Sequence, residues 1–466
     1  ATGANEDSGT CKIRLAAMKI YLLQSRLLVA LIFVPCSEAI WPFNDDGSAQ
    51  AAPTELLPES NPYTCGAQLR LPVNFPANVT IGEVGGLGEP SMPELQVMFP
   101  DVDIENMRAE GGAAGGALGA KFRNFRQEAL DMYWDDGSDL GMYSGKVPAM
   151  GRSATTTYVG HAFKFVGVTS KRLVARLEMR ADTTMYLIDP EAGDPTLQAE
   201  EYLTAKAEAE YYRKYFQEHG TPWLSMFNRP KPVLNMWPAE QLGQTHKVIS
   251  RERYWTGDND QAGQEVQLNL TVISKGPSGP RVFLIRDLLS PFECDHIVSQ
   301  SERVIRPSIV GQDGGFKSRT RTSETGWLSR DRTPILSTVH RRFADALGLD
   351  EAIVRSAQNA EELQVVRYER GQQYQPHHDF SDAGIVNQRF LTLLIYTSPA
   401  DEGGYTSFPK AFGGKGLRVR PPKGSGVLFY SMLPDGNGDD LSLHAGEPVT
   451  MGRKWVCNLW IWDPKR

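Results

Sequence analysis

The sequence predicts a mainly β protein of the α+β class, in which helices support a carboxyl-terminal β-sandwich or jelly roll. From residue 281 onward, two helices with clear start signals precede short strands that are separated by Gly and Pro turns. Runs rich in Val, Thr, Tyr and Phe between residues 121 and 190 predict a smaller β-sandwich. With 466 residues, the chain is also too long for a single hydrophobic core.

Composition and charge narrow the possible functions. The chain has 49 basic and 56 acidic residues, a formal net charge of −7, and 41% hydrophobic residues. This composition is ordinary for a globular protein, and the lack of net positive charge argues against nucleic acid as a partner.

The first 39 residues have the character of a targeting segment. Lys19 and Arg26 precede the apolar run Leu27–Cys36, and Ser-Glu-Ala follows it. This pattern predicts a cleaved secretory signal, with an uncleaved signal anchor over residues 18–39 as the alternative. We therefore expect the endoplasmic reticulum or the secretory pathway, either in the lumen or anchored facing it.

Sequons and cysteines agree with this location. Asn78 and Asn269 each begin an Asn-x-Thr sequon, which predicts a glycoprotein. After signal cleavage only Cys65, Cys294 and Cys457 would remain, so at most one disulfide can form and one thiol is left over. The fold must therefore depend on its hydrophobic core.

Three segments lie between the signal and the predicted jelly roll. Residues 40–120 are rich in Pro, Gly and Ala and predict a linker. The β-sandwich over 121–190 follows. A connecting segment over 191–275 contains a predicted helix, Leu197–His219, and an alternating half-buried strand, Gln264–Ser274.

Residues 276–466 contain the elements of the predicted jelly roll. Ser-Pro and Thr-Pro pairs give start signals for helices over Phe292–Ile305 and Ile335–Leu347. Strands are predicted over short apolar runs that end at turn residues: Arg281–Arg286, Leu363–Tyr368, Phe390–Thr397, Ser425–Tyr430 and Trp455–Trp462.

The residues with the clearest chemistry lie around a His-His-Asp triplet. His377 and Asp379 are two positions apart, so on a strand both side chains point to one face, whereas His378 points away. His444 comes from a later strand end. Two imidazoles and one carboxylate with adjacent open positions form the facial triad of non-haem Fe(II) oxygenases. A surface histidine beside an aspartate is the commoner explanation of an isolated His-x-Asp, so other residues must decide.

Lys454 is the next indication of a site. It follows His444 across a turn, where its ammonium group could pair with a second carboxylate. If Lys454 points inward, strand alternation also places Val456, Asn458 and Trp460 inward. A single lysine on a strand is otherwise a solvated edge residue.

Six blocks appear in an order that is typical of one family: Leu289–Ile297, Arg319–Ser323, Leu363–Asp379, Gly403–Pro409, His444–Gly452 and Lys454–Ile461. This region resembles the prolyl 4-hydroxylases of the 2-oxoglutarate dioxygenase superfamily. The resemblance implies a double-stranded β-helix (jelly roll) that hydroxylates proline in polypeptides with Fe(II), 2-oxoglutarate and O2. Decarboxylation of 2-oxoglutarate to succinate would drive the reaction, with L-ascorbate as the reductant that restores iron.

The resemblance also implies roles for individual residues. Three of them would hold iron: His377, Asp379 and His444. Lys454 would bind the distal carboxylate of 2-oxoglutarate with help from Tyr368, while Tyr374 and Trp460 would line the peptide side. A lysine at position 454, where lysyl hydroxylases carry arginine, favours prolyl substrates. Tyr405 departs from the family, which has Glu or a small residue there.

Blocks within residues 122–165 resemble the β-domain of the von Hippel–Lindau tumour suppressor, which binds hydroxyproline peptides: residues 122–125, 133–137 and 157–165. The matching positions would surround a hydroxyproline: Tyr143, Thr157, His161 and Phe163. Thr157 and Phe163 replace the Ser and Trp of that family. A generic β-domain with a buried Trp134 and a hydrogen-bonded His161 is the alternative.

Three functions remain open from the sequence. The first is a peptidyl-proline 4-hydroxylase of the secretory pathway. The second is a hydroxyproline-binding protein with a catalytically inactive dioxygenase fold, which the intact ligand set and Lys454 disfavour. The third is a dioxygenase that acts on a small molecule, which is disfavoured by amino-terminal additions suited to presenting a peptide.

Overall fold

The computed structural model describes residues 79–81, 102–103, 117–224, 232–308, 321–380 and 388–463. The predicted signal or anchor over residues 18–39, together with Cys65 and Asn78, lies outside these residues, as does most of the predicted linker. Within the described ranges, no helix is long and apolar enough to cross a membrane. The predicted fold class, mainly β with supporting helices, is confirmed.

The β-sandwich contains the first longer strands. Two short strands, β1 (Val79–Ile81) and β2 (Val102–Asp103), precede it and pair with later strands. The sandwich strands are β3 (Ala117–Asn124), β4 (Leu130–Trp134), β5 (Met142–Val147), β6 (Arg152–Tyr158), β7 (Ala162–Gly167), β8 (Leu173–Glu178) and β9 (Met185–Ile188). One sheet has the order β6-β3-β9 and the other β5-β4-β7-β8. The buried ring of Phe122 joins them, because its centroid lies 5.8 Å from Phe163 and 5.0 Å from Phe165.

A long helix follows the sandwich. After a 3-10 turn, α1 spans Glu200–His219 and ends at Gly220, whose φ of 69° gives the left-handed cap for which glycine is suited. The hydroxyl of Tyr202 donates to Asp189 Oδ1 at 2.8 Å and ties the start of the helix to the sandwich. At the other end, the ring of Tyr215 lies 5.1 Å from Trp223.

Five strands follow, of which the first, fourth and fifth belong to the large sheet and the other two form a separate two-stranded sheet. They are β10 (Thr245–Ser250), β11 (Tyr254–Gly257), β12 (Asp260–Ala262), β13 (Val266–Ser274) and β14 (Val282–Arg286). Along β13 the apolar residues alternate as predicted, and these side chains are buried: Val266, Leu268, Leu270 and Val272. Because β13 pairs with both β10 and β14, the sheet continues across the predicted domain boundary at residue 276.

Helices pack outside this sheet. The elements are α2 (Pro291–Ser301), β15 (Arg306–Pro307), β16 (Glu324–Leu328), α3 (Pro334–Leu347) and α4 (Glu351–Arg355). Ser290 and Glu293 form a capping box at the start of α2. The fully buried carboxylate of Glu293 also accepts two hydrogen bonds from Arg342, at 2.6 and 2.9 Å. This ion pair joins α2 to α3.

The remaining strands complete the jelly roll. They are β17 (Leu363–Tyr368), β18 (Tyr374–His377), β19 (Arg389–Ser398), β20 (Glu402–Gly403), β21 (Thr406–Phe408), β22 (Leu417–Val419), β23 (Gly426–Tyr430), β24 (His444–Gly446), β25 (Val449–Met451) and β26 (Lys454–Trp462), with one helical turn, α5 (Ala411–Gly414). The large sheet has the order β1-β10-β13-β14-β23-β19-β26-β17-β16-β15, and the smaller sheet β18-β24-β21-β22-β2. Phe408 packs on Phe429 at 5.2 Å, so the two sheets enclose one core.

Candidate active site

The structure brings His377, Asp379 and His444 together inside the jelly roll. Their potential ligand atoms all lie within 4.8 Å of one another. His377 ends β18, His444 begins β24, and the two residues are paired in register. Asp379 lies just beyond the end of β18. The alternation argument therefore placed Asp379 on the correct side, although the strand is shorter than the argument assumed.

Backbone carbonyls orient both histidine rings. Nδ1 of His377 donates to the carbonyl of Gln375 at 2.8 Å, and Nδ1 of His444 donates to that of Ser442 at 3.0 Å. Because a carbonyl only accepts, Nδ1 carries a proton in both rings, and in the neutral form of each ring Nε2 keeps a lone pair. The two Nε2 atoms lie 3.8 and 3.7 Å from carboxylate oxygens of Asp379. This tautomer suits metal binding through Nε2.

The environments of His377 and Asp379 also favour the protonation states that bind a metal. Burial, followed by the neighbouring His444, lowers the pKa of His377, which stays neutral. Burial alone would raise the pKa of Asp379, but His444 and Arg389 lower it below its usual value. An ionised carboxylate and neutral imidazoles are the protonation states in which these groups bind a cation.

Further donors that the sequence reasoning did not assign hold the Asp379 carboxylate. Its Oδ2 accepts from Thr392 Oγ1 at 2.5 Å and from Trp460 Nε1 at 2.9 Å. The sequence could have indicated a role for Thr392, because it is a polar residue inside the apolar run Phe390–Ile395 and a buried hydroxyl needs a hydrogen-bond partner. Trp460, predicted only to line the peptide side, therefore also orients a candidate iron ligand.

Arg389 is a second residue that the sequence reasoning missed. Its guanidinium lies 3.7 Å from the Trp460 ring centroid and 3.8 Å from Asp379 Oδ1. Glu361 fixes it, accepting from Nε at 2.6 Å. No local pattern could connect Glu361 to this site, because the two residues are 28 positions apart and on separate elements.

His378 lies outside the cluster. Its Nε2 is 3.2 Å from the carbonyl oxygen of Asp440, whose carboxylate accepts from Lys410 Nζ at 2.6 Å. This placement agrees with the prediction that His378 does not act with His377 and Asp379.

Lys454 lies in the same pocket as the cluster, and its side chain is buried, with only 2% of the residue exposed. Within the described residues, no hydrogen bond or ion pair reaches its ammonium group, which lies 5.3 Å from the Tyr368 ring and 5.0 Å from the Tyr396 ring. Burial lowers the pKa of Lys454 to about 7. A buried cation without a direct counter-ion is costly, so the pocket fits the distal carboxylate of 2-oxoglutarate. Tyr368 is paired with Lys454 in register and lies beside it.

The other predicted pocket residues also line this space. Val456, Asn458 and Trp460 line it, as strand alternation predicted for an inward Lys454. The ring of Tyr374 stacks on His377, with centroids 3.6 Å apart and planes 20° apart.

Tyr405, which departs from the family pattern, does not reach the cluster. Its ring lies 4.1 Å from the guanidinium of Arg418, and its carbonyl accepts from the backbone of Glu447 at 2.8 Å. Arg418 and Glu447 form an ion pair at 2.6 Å. The tyrosine thus belongs to a small surface network beside the pocket.

The four residues predicted to surround a hydroxyproline do not share one surface. Thr157 and His161 are together, with Oγ1 3.1 Å from Nδ1. Phe163 is only 4% exposed and belongs to the sandwich core, whereas Tyr143 is 57% exposed. Tyr143 and Phe163 pair with adjacent residues of β4, so they point to opposite faces of that sheet.

Comparison with known proteins agrees with this geometry. Residues 363–462 match the model of the 2OG-Fe(II) oxygenase superfamily, a range that includes every strand of the cluster and Lys454. By class the protein is therefore an iron- and 2-oxoglutarate-dependent oxygenase. The ionised carboxylate and the two Nε2 lone pairs fit Fe(II), and the buried ammonium group fits 2-oxoglutarate. When bound, Fe(II) and 2-oxoglutarate together activate O2.

Relatives narrow the class. A probable prolyl 4-hydroxylase 3 of Arabidopsis thaliana is 36% identical over 204 residues, 39% of this chain and 69% of the relative. Prolyl 4-hydroxylase 1 of the same plant is 34% identical over 238 residues, which cover 47% of this chain and 81% of the relative. The solved viral collagen prolyl hydroxylase of Paramecium Bursaria Chlorella virus-1 is 28% identical, covering 40% of this chain and 97% of that one at a TM-score of 0.31. The chain belongs to the prolyl 4-hydroxylase family.

Proposed function

We propose that the protein hydroxylates proline residues within polypeptides at C4, using Fe(II), 2-oxoglutarate and O2. One observation carries the proposal: in a member of this family, two oriented imidazoles and one ionised carboxylate converge beside a buried lysine, whose ammonium group meets no counter-ion among the described residues. An inactive oxygenase fold has no reason to keep a cation buried in this way.

Each pocket residue has a proposed task. His377, Asp379 and His444 hold the iron, while Lys454 binds the distal carboxylate of 2-oxoglutarate. Thr392 keeps the carboxylate of Asp379 in one orientation through its hydroxyl, at 2.5 Å.

The peptide side of the pocket is proposed to be aromatic. Tyr374 and Trp460 line the space beside the cluster. Stacking on His377 orients the ring of Tyr374, and a hydrogen bond to Asp379 orients that of Trp460. Rigid rings of this kind can fix a proline ring while excluding water.

The proposed substrates are proteins of the secretory pathway. The amino-terminal pattern of a signal supports this, and so does the sequon at Asn269, which lies on β13 with its side chain partly accessible. L-Ascorbate is the proposed reductant. A lumenal enzyme and a membrane-anchored one that faces the lumen are both compatible with the predicted signal or anchor.

Peptide mass spectrometry tests the proposal. Proline-rich peptides incubated with the full chain, Fe(II), 2-oxoglutarate and ascorbate should gain one oxygen per modified proline, and omission of 2-oxoglutarate should prevent the gain. An Asp379→Ala variant is the matched control. Oxidation of free proline or another small molecule, with no modified peptide, would favour the alternative substrate class.

A second candidate function concerns the sandwich domain. The imidazole of His161, which is bonded to Thr157, packs against the rings of Trp134 and Tyr158, with centroids 5.5 and 5.3 Å away. We propose binding of a hydroxyproline peptide at this His161 surface, which would keep a repetitive substrate near the catalytic pocket.

A further inference from the structure

Residues 432–443 connect β23 to the candidate iron ligand His444, and we call them the 432–443 loop. The loop folds back on itself. The backbone N–H of Leu433 donates to Asn437 at 2.8 Å, and that of Asp439 donates to Ser431 at 2.9 Å. It is therefore a closed structure, whose position depends on what holds it at either end.

The inner end of the loop contacts both chain segments that supply the ligands. Ser442 accepts from Nδ1 of His444 at 3.0 Å, and the backbone of Asp440 lies 3.2 Å from Nε2 of His378. Gly438 packs directly on Phe380, since a Cβ added there would lie 2.8 Å from two ring carbons. His378 and Phe380 flank Asp379 in sequence. A shift of the loop would therefore move both sides of the triad.

The outer end is held by α1 and the residues that follow it. The hydroxyl of Tyr215 donates to Asp435 Oδ2 at 2.7 Å. Asn437, 1% exposed, accepts from the backbone of Leu224 at 2.8 Å and donates to the carbonyl of Pro222 at 3.0 Å. The loop falls within the superfamily match over residues 363–462, but α1 lies outside it.

We infer that α1 positions the iron site through the 432–443 loop, with Tyr215 and Asn437 as positioning residues. The inference rests on the proposed roles of His377, Asp379 and His444 as ligands. Partners that orient a metal-binding histidine affect metal affinity because they set the ring angle before the ion arrives. Here the carbonyl that orients His444 belongs to a loop whose Asp435 and Asn437 are held by hydrogen bonds from outside the matched domain.

Titration of the full chain with Co(II) alone tests the inference, because affinity and the visible absorption of the bound ion report ligand geometry without turnover. Tyr215→Phe keeps the ring packed on Trp223 and loses only the hydroxyl, so Co(II) should bind about 3- to 10-fold more weakly. Asn437→Ala loses two hydrogen bonds and should weaken binding by about tenfold or more, with an altered absorption spectrum.

Tyr202→Phe is the matched control. It makes the same change on the same helix, but its hydroxyl donates to Asp189 inside the β-sandwich. Co(II) affinity should remain that of the wild type, and thermal unfolding should show all variants folded at the titration temperature.

Three outcomes would overturn the inference. Wild-type affinity in both Tyr215→Phe and Asn437→Ala would remove the loop from iron positioning while leaving the ligand set intact. An equal loss in Tyr202→Phe would mean that any damage to α1 has the same effect. If the His444→Ala variant bound Co(II) as tightly as the wild type, the ligand assignment itself would fail, and the inference with it.

Discussion

The jelly-roll pocket and the His161 surface each combine a histidine, a hydroxyl group and aromatic rings, but their polar groups are satisfied differently. In the pocket, the protein orients His377 and His444 by their Nδ1 atoms and leaves both Nε2 atoms facing a shared space. At the other surface, Nδ1 of His161 is already bonded to Thr157. Convergent polar groups that still need a partner indicate a ligand, whereas mutually satisfied groups serve the fold equally well.

The two regions also differ in how they are built. Strands β18, β19, β24 and β26 all contribute to the cluster or its supports, and they come from both sheets. At the His161 surface, Thr157 lies on β6, His161 lies in the turn before β7, and Trp134 lies on β4, which pairs with β7. A site assembled from several packed strands is rigid, and rigidity is what a metal centre needs. The predictions below test this contrast, from the largest expected effect to the smallest.

Loss of any one ligand should be the most damaging change. For His377→Ala, Asp379→Ala and His444→Ala we expect turnover below about one thousandth of the wild-type value and loss of bound iron, because a facial site has no spare ligand. His378→Ala is the control and should keep most activity. Metal analysis and peptide mass spectrometry measure both effects, and an equally inactive His378→Ala would show that the cluster is wrongly assigned.

Lys454→Ala should mainly weaken the binding of 2-oxoglutarate. Loss of a charge-assisted hydrogen bond should raise the KM for 2-oxoglutarate by about 10- to 100-fold, with a much smaller change for the peptide. Lys454→Arg should be only partly tolerated, since a planar fork does not replace a compact ammonium group. An unchanged KM for 2-oxoglutarate in the alanine variant would exclude Lys454 from that subsite.

Affinity for 2-oxoglutarate should depend on pH through the same lysine. Burial lowers the pKa of Lys454 to about 7 in the free protein, so above pH 7 the lysine is neutral and must take up a proton when the carboxylate binds. The Kd should therefore rise, by up to about tenfold per pH unit, as the pH increases above 7. Calorimetry without O2 measures it. Lys454→Arg stays protonated, so an equal slope in that variant would contradict the assignment.

Loss of the hydroxyl that supports the Asp379 carboxylate should have an intermediate effect on metal affinity. Thr392→Val removes the hydroxyl at 2.5 Å while keeping the side-chain shape, and metal affinity should fall by about tenfold. Thr392→Ser keeps the donor and should recover most of the loss. Co(II) titration of both variants decides, and equal affinities would mean that the hydroxyl plays no part in holding the carboxylate.

The smallest effect is expected at the His161 surface. A hydroxyproline peptide should bind the metal-free full chain about fivefold more tightly than its proline twin, since one hydrogen bond separates them. Thr157→Val should abolish the preference. Tyr143→Phe should leave it unchanged, because that side chain lies on the opposite face. Equal affinity of both peptides would make the sandwich a structural spacer.

Local sequence patterns were sufficient for two of the strands that line the pocket, β17 and β26. Leu363–Tyr368 was predicted with the bounds it has, and Lys454 with Val456, Asn458 and Trp460 faces the pocket as alternation required. The reason is physical: strand alternation and helix caps depend only on neighbouring residues.

Contacts between distant segments were beyond these patterns. Trp460 donates to Asp379 from 81 positions away, and Tyr215 donates to Asp435 from 220 positions away. Such pairs depend on how strands are ordered in the sheets, which the period of a single strand does not specify. The opposite orientations of Tyr143 and Phe163 have the same origin, because they follow from the register of β5 and β7 on β4.

The order of the large sheet has a consequence for dissecting the protein. A fragment that begins at residue 276, where the sequence places a boundary, would lack β10 and β13 and would leave β14 with one side unpaired. Every apolar residue of β14 is buried in the intact chain. Exposed backbone groups on a flat, apolar edge promote association with other chains, so this fragment should aggregate. A fragment that retains residues from 232 onward keeps both covering strands and should remain monomeric for longer.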